Sequence, residues 1–158
     1  MSEREILFRG KRVDNGRWVE GQYTCEEYEP HLQKVLHIDR IAIAGACVSV
    51  GVIPETVGQY TGLKDENGTR IFEGDIVKIT GFHTTAIAAV KYGSPSEQST
   101  SWGWYFDDND GHAYFLMSKV FCIDYNAIVI GNIHDNPELW CENAEKRLLE
   151  GYGIKKER

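Results

Sequence analysis

Gly58-Gln59-Tyr60-Thr61-Gly62-Leu63-Lys64-Asp65-Glu66-Asn67-Gly68-Thr69-Arg70-Ile71-Phe72-Glu73-Gly74-Asp75-Ile76-Val77-Lys78-Ile79-Thr80 is the stretch that decides the fold class of this chain. Three turn signals, Thr61-Gly62, Asn67-Gly68 and Gly74-Asp75, punctuate short apolar runs, and the last run is rich in β-branched residues. Glycine supplies positive φ at no steric cost, and Asn and Asp side chains bond the backbone two residues on. Such words describe strands joined by tight turns.

Downstream, the same period of two predicts strands at about 76–80, 86–92, 102–106, 113–117, 120–125 and 127–131, with Phe121, Ile123 and Tyr125 alternating against Cys122, Asp124 and Asn126. Short strands this closely spaced describe a small barrel or sandwich. Upstream, Asn15-Gly16 between strand-like runs predicts a hairpin over residues 5–25. Glu26 to His31 reads as a loop, and strand character returns at Val35. Large apolar residues then change parity, from Ile41 and Ile43 to Val48, Val50 and Val52. One strand cannot keep a buried face through that change, so a turn or bulge near Gly45 is expected. One helix is expected at the end: Asn136 as cap, Pro137 and Glu138 in the first turn, Trp140, Ala144 and Leu148 as a stripe, and Gly151 as the stop. The expected architecture is mainly β, with an N-terminal β-rich subdomain over 1–57, a barrel over 58–135, and a helix and tail over 136–158.

Composition agrees with that class. A chain of 158 residues, 42% apolar and 26% charged, suits one compact domain with a small appendage and excludes a large multidomain enzyme. Sixteen glycines against four prolines favour many turns over a helical bundle. The net charge of −7 repels a phosphate backbone, so nucleic acid is not an expected partner. The deficit is spread evenly, about −3 before residue 80 and −4 after it. Arg9, Lys11, Arg12 and Arg17 cluster, as do Lys155, Lys156 and Arg158, and they read as a solvated hairpin and a frayed terminus.

Cys25, Cys47, Cys122 and Cys141 lie 22, 75 and 19 residues apart, without the compact spacing of a zinc ribbon. The charged start Met1-Ser2-Glu3-Arg4-Glu5 does not resemble a signal peptide, so a reducing cytoplasm and free thiols are expected. The longest uncharged stretch, Ile41 to Pro54, has 14 residues, short of the roughly 20 that a membrane helix needs. No membrane association is expected.

Candidate chemistry is sparse. Asp107-Asp108-Asn109-Asp110-Gly111 looks calcium-like, but aligning Gly111 with an EF-hand's glycine places Phe106 first and Met117 last, where carboxylates belong. Asp65-Glu66-Asn67-Gly68 fails likewise, with Leu63 first and Gly74 last. His31, His37, His83, His112 and His134 are scattered, and no nucleophile elbow, P-loop or dinucleotide fingerprint occurs. A Cys122 or Cys141 nucleophile with His134 is outweighed by a buried structural role. Trp102, Trp104, Tyr105, Phe106, Tyr114 and Phe115 form the densest aromatic group. Alternation sends Trp102, Trp104 and Phe106 to one face for core packing, and leaves Tyr105 with Asp107 as the possible surface contact. No catalytic residue, metal or cofactor is therefore expected.

Three words carry a resemblance: Gln59 to Gly68; Ile71-Phe72-Glu73-Gly74-Asp75-Ile76-Val77; and Val129-Ile130-Gly131-Asn132-Ile133-His134-Asp135-Asn136-Pro137-Glu138-Leu139. With the opening Glu5 to Gly10, they make the chain from about residue 5 to 140 resemble the YopX family of phage and prophage proteins. The resemblance implies a β-rich fold with an SH3-like barrel in its later part, a tendency to homo-oligomers and no established activity. Read physically, these words form turns and caps: Gly62, Gly68, Gly74 and Asp75 in turns, Asn132 in the last motif, and Asn136 and Pro137 at a helix start. Self-association is also expected from the Ile41 to Pro54 stretch, which has no charge to guard an edge. The favoured function is a non-enzymatic phage accessory protein acting as a homo-oligomer on an unknown phage or host protein. A nucleic-acid-associated module and a small enzyme with an interface site are the alternatives.

Overall fold

The structure is a computed structural model that describes residues 5–27, 37–43, 48–80, 85–95, 100, 102–107, 113–115 and 126–140. It divides into two compact units, Met1–Gly62 and Leu63–Arg158. Eleven strands are described: β1 (Phe8–Lys11), β2 (Trp18–Glu27), β3 (His37–Ile43), β4 (Ser49–Gly51), β5 (Gly58–Lys64), β6 (Arg70–Phe72), β7 (Asp75–Thr80), β8 (Thr85–Gly93), β9 (Gly103–Asp107), β10 (Ala113–Phe115) and β11 (Asn126–Asn132). They make two antiparallel sheets, ordered β4-β3-β2-β1-β5-β6 and β10-β9-β8-β7-β11.

In the first unit, β1 and β2 form the expected hairpin, with Lys11 opposite Trp18 and Phe8 opposite Gly21. Its loop closes through Arg12 N–H to the Arg17 carbonyl at 2.9 Å and turns at Gly16, whose φ is +68°. The parity change after Ile43 falls between β3 and β4, which are antiparallel with Ile41 opposite Val50, and the turn or bulge expected near Gly45 lies outside the described residues. The sheet curls until Val52 bridges Arg12, and Val13 N–H to Gly51 and Ile53 N–H to Lys11 hold the ends together. Ile41 and Val52 are buried inside that curl. Gly10 and Gly21 make the room, since a Cβ at Gly21 would stand 1.8 Å from the Ala42 carbonyl oxygen. The apolar stretch thus buries these two residues within its own unit.

In the second unit, period two sorts β7, β8 and β9 into faces. Ile71, Val77, Ile79, Ala88, Val90 and Phe106 pack as one core, with Leu63, Trp104 and Val129 against it. Lys91 and Tyr105 are opposite each other on the other face. The β7–β11 ladder is regular from Asn126 to Val129 and then slips, so that Gly131 and not Ile130 faces Ile76.

Two expectations are corrected. The second sheet is open, not a closed SH3-like barrel: among the described residues its rims, β10 and β11, do not pair with each other. The helix expected from Asn136 is, within the described residues, a single 3₁₀ turn, Pro137–Trp140. Proline and an acidic first turn favour any helical start, and they do not choose between a 3₁₀ turn and a longer helix. Ala144, Leu148 and Gly151, with the strand expected at 120–125, lie outside the described residues.

Candidate functional site

The three motif words fold into backbone ties, which from Asp65 onward lie within the second unit. Asp65 opens the β5–β6 turn, where its Oδ1 accepts the Asn67 and Thr69 N–H groups at 2.9 and 2.8 Å. Its Oδ2 accepts the Val129 N–H at 3.1 Å, and Glu66 N–H donates to the Ala127 carbonyl. Burial pushes the Asp65 carboxyl up, but the bonds from Val129, Thr69 and Asn67 outweigh it and hold the group below the usual carboxylate range. Gly68, at φ +81°, closes that turn. Gly62, at φ +86°, sits within β5 with open space where a side chain would be.

Asp75 begins β7, is 1% exposed, and accepts the Phe72 N–H at 2.7 Å through Oδ2. Gly74 is left-handed at φ +80°; its N–H donates to the Val90 carbonyl and its carbonyl accepts from Ile133. His134 Nε2 lies 3.7 Å from where a Gly74 Cβ would be, so the second and third motif words meet here. Asn132 Oδ1 accepts the N–H groups of His134 and Asp135, and its Nδ2 donates to Asp135. Asn136 receives the Leu139 N–H on its carbonyl, and its side chain rests on Gly131, where a Cβ would meet Oδ1 at 2.6 Å. Pro137 starts the 3₁₀ turn.

Of the expected surface pair, Tyr105 is half-buried and Asp107 forms an ion pair with Lys91. Trp140 completes this group: its Nε1–H donates to the Asp107 carbonyl at 2.8 Å, and Lys91 Nζ lies 4.6 Å from its ring centre. Sequence reading misses Lys91 and places Trp140 on a helix stripe rather than beside Asp107. The aromatic run is graded along its face: Phe106 is 1% exposed, Trp104 half-buried and Trp102 73% exposed. Tyr92, 56% exposed, meets Trp104 edge-on at 4.9 Å. Trp102 is therefore surface and not core. Cys122 and the expected turn Asp108 to Gly111 lie outside the described residues, as does Cys141.

In the first unit, Lys11 and Arg9 gather about Trp18 on one face of the β1–β2 hairpin. The Arg9 guanidinium carbon is 4.8 Å, and Lys11 Nζ 5.7 Å, from the ring centre. At the hairpin tip Arg12 bonds Asp14, and the guanidinium holds that carboxyl below its ordinary range. No described helix is long and apolar enough to cross a membrane.

No curated relative matches the sequence. Among solved structures, the chain is similar to the crystal structure of protein EF1440 from Enterococcus faecalis, at 22% identity and a TM-score of 0.45, over 87% of this chain and 99% of that one. The family model described as YopX protein matches residues 7–140, a span that takes in all three motif words and both units, and so the chain belongs to the YopX family.

Proposed function

We propose that this chain is a phage- or prophage-encoded accessory protein of the cytoplasm that works by binding rather than by catalysis, and that it does so as a homo-oligomer. The observation that carries this reading is where the motif's polar atoms go. Asp65, Asp75 and Asn132, three motif side chains with the chemistry to act on a substrate, accept backbone N–H groups of their own unit. Meanwhile Tyr92 and Trp102 offer aromatic surface to solvent. Exposed rings that extend a core outward suit a contact between proteins. Ile41 and Val52 are buried in their own unit while Val48 and Ile53 stay exposed, so self-association rests on these rings together with the exposed part of the Ile41 to Pro54 stretch.

Light scattering after gel filtration at micromolar concentration tests the oligomer, and a single monomer mass overturns it. A photo-crosslinking residue at Trp102 tests the surface in host cells. Discrete adducts that disappear when the crosslinker is moved to exposed Glu66 are expected, and identical patterns at both positions would overturn the reading.

A further inference from the structure

We infer that the outer face of the β1–β2 hairpin, built from Arg9, Lys11 and Trp18 and extended by the Arg12 to Arg17 loop, is a docking strip for single-stranded nucleic acid. The inference rests on the reading of this chain as a binding protein, and is independent of its oligomeric state.

The charge deficit is spread evenly over the two halves of the sequence, and the β1–β2 hairpin departs from it. Residues 9 to 20 hold four cations, Arg9, Lys11, Arg12 and Arg17, against Asp14 and Glu20, in a chain whose net charge is −7. Asp14 is already bound by Arg12. In the hairpin register Lys11 faces Trp18 and Arg9 faces Glu20, which puts Arg9, Lys11, Trp18 and Glu20 on one side. Gly10 and Gly21, both buried, lie on the other side, toward Ile41. This face is thus locally basic in an acidic protein, and a polyanion is its complement.

Arg9 and Lys11 are two residues apart on β1, roughly 6.8 Å along the strand. Both cations are held against the Trp18 indole, so they give up less side-chain freedom when they meet a phosphate. Trp18 itself offers stacking area to a base, and Val13, 67% exposed at the hairpin tip, offers apolar contact beyond it. An acidic peptide would satisfy the cations but has no planar group for the indole.

Duplex DNA fits less well. Its major groove, about 12 Å wide, admits a helix or a two-stranded ribbon. Here the outer edge of β1 is bound at Arg9 by Gly58 and at Lys11 and Arg12 by Ile53 and Val52, so the hairpin is not a free two-stranded ribbon. A flexible single strand can lie across such a face.

The test is fluorescence anisotropy of the full chain with a labelled oligothymidylate of about 15 nucleotides. Saturable binding is expected at about 50 mM salt, weakening roughly tenfold by 200 mM, as two or three neutralised phosphates require. Arg9→Gln with Lys11→Gln should weaken binding about tenfold and flatten the salt slope by about 0.7 for each phosphate left without its cation. Arg17→Gln, on the exposed loop where folding is not at stake, should weaken it less, and Lys64→Ala on β5 not at all. Absence of binding at 50 mM overturns the inference, and so does binding that the Arg9, Lys11 and Arg17 substitutions leave intact. Equal affinity for the matching duplex overturns it too. Displacement by polyglutamate at equal charge concentration overturns it in favour of an acidic polypeptide. None of these outcomes touches the Trp102 crosslinks, so the two readings fail separately.

Discussion

The Asp65 carboxylate accepts the Val129 N–H at 3.1 Å across 64 residues of chain. The same side chain closes its own turn, so one carboxylate both shapes the β5–β6 connection and fastens it to β11. Three backbone donors converge on this one ionised group, which ties together two of the three motif words.

Replacing Asp65 with Asn turns one acceptor oxygen into an NH2 group facing an N–H donor. The expected loss is about 2–3 kcal/mol, the size of hydrogen bonds to a charged group, measured as a lowered urea midpoint with an unchanged slope.

That loss should depend on pH. The folded carboxyl titrates below its unfolded value of about 3.9. Its contribution is therefore complete above roughly pH 5 and falls away as pH drops through the folded-state value. The gap in stability between wild type and Asp65→Asn should be widest near neutrality and narrow as pH falls below the ordinary carboxylate range. A gap that stays constant across this range would show that the charge is not what Asp65 contributes.

Asp75→Ala removes the acceptor of the Phe72 N–H at a site 1% exposed. A buried donor left without its partner costs about 1–3 kcal/mol. Denaturation midpoints check this, and an unchanged midpoint would remove Asp75 from the turn's support.

Two glycines separate conformation from space. Gly16 has φ +68° and nothing nearby, so Gly16→Ala should cost about 1–2 kcal/mol from the left-handed backbone alone. Gly21 has no such φ, but its Cβ would collide with the Ala42 carbonyl. Gly21→Ala should therefore destabilise by clearly more than Gly16→Ala, and thermal melts showing the reverse order would refute the curled packing around Ile41.

Trp140→Phe keeps a ring beside Lys91 but deletes the Nε1–H bond to Asp107. A cost of about 1 kcal/mol is expected, together with faster proteolysis beyond Pro137. Unaltered cleavage would mean that this tie does not hold the 3₁₀ turn to its sheet.

Much of the strand pattern is legible because its causes are local. Asn15-Gly16 marks the β1–β2 hairpin, and period two locates β7, β8 and β9 to within a residue or two. Alternation also puts Trp102, Trp104 and Phe106 on one face. It carries no information about where the cover over that face ends, and so Trp102 reads as core although it is exposed. Barrel closure is illegible for a related reason: a pattern states which residues face inward, not whether two rims meet. The Asp65 to Val129 bond is invisible because the local words predict an Asx-type turn around Asp65 and say nothing of its second oxygen. Arg9, Lys11, Arg12 and Arg17 cluster along the chain, but only the register puts Arg9, Lys11 and Trp18 on one face.

The outer rim of β11 has a consequence for solubility. A strand at the margin of a sheet exposes amide and carbonyl groups that a foreign strand can adopt, which is how ordered aggregates begin. At Ala127 and Val129 those positions are taken by Glu66 N–H and the Asp65 carboxylate, a decoy that mimics a neighbouring strand without offering a further edge. Protonating Asp65 weakens the decoy, and because its carboxyl is held below the usual carboxylate range the margin stays covered until the solution is strongly acid.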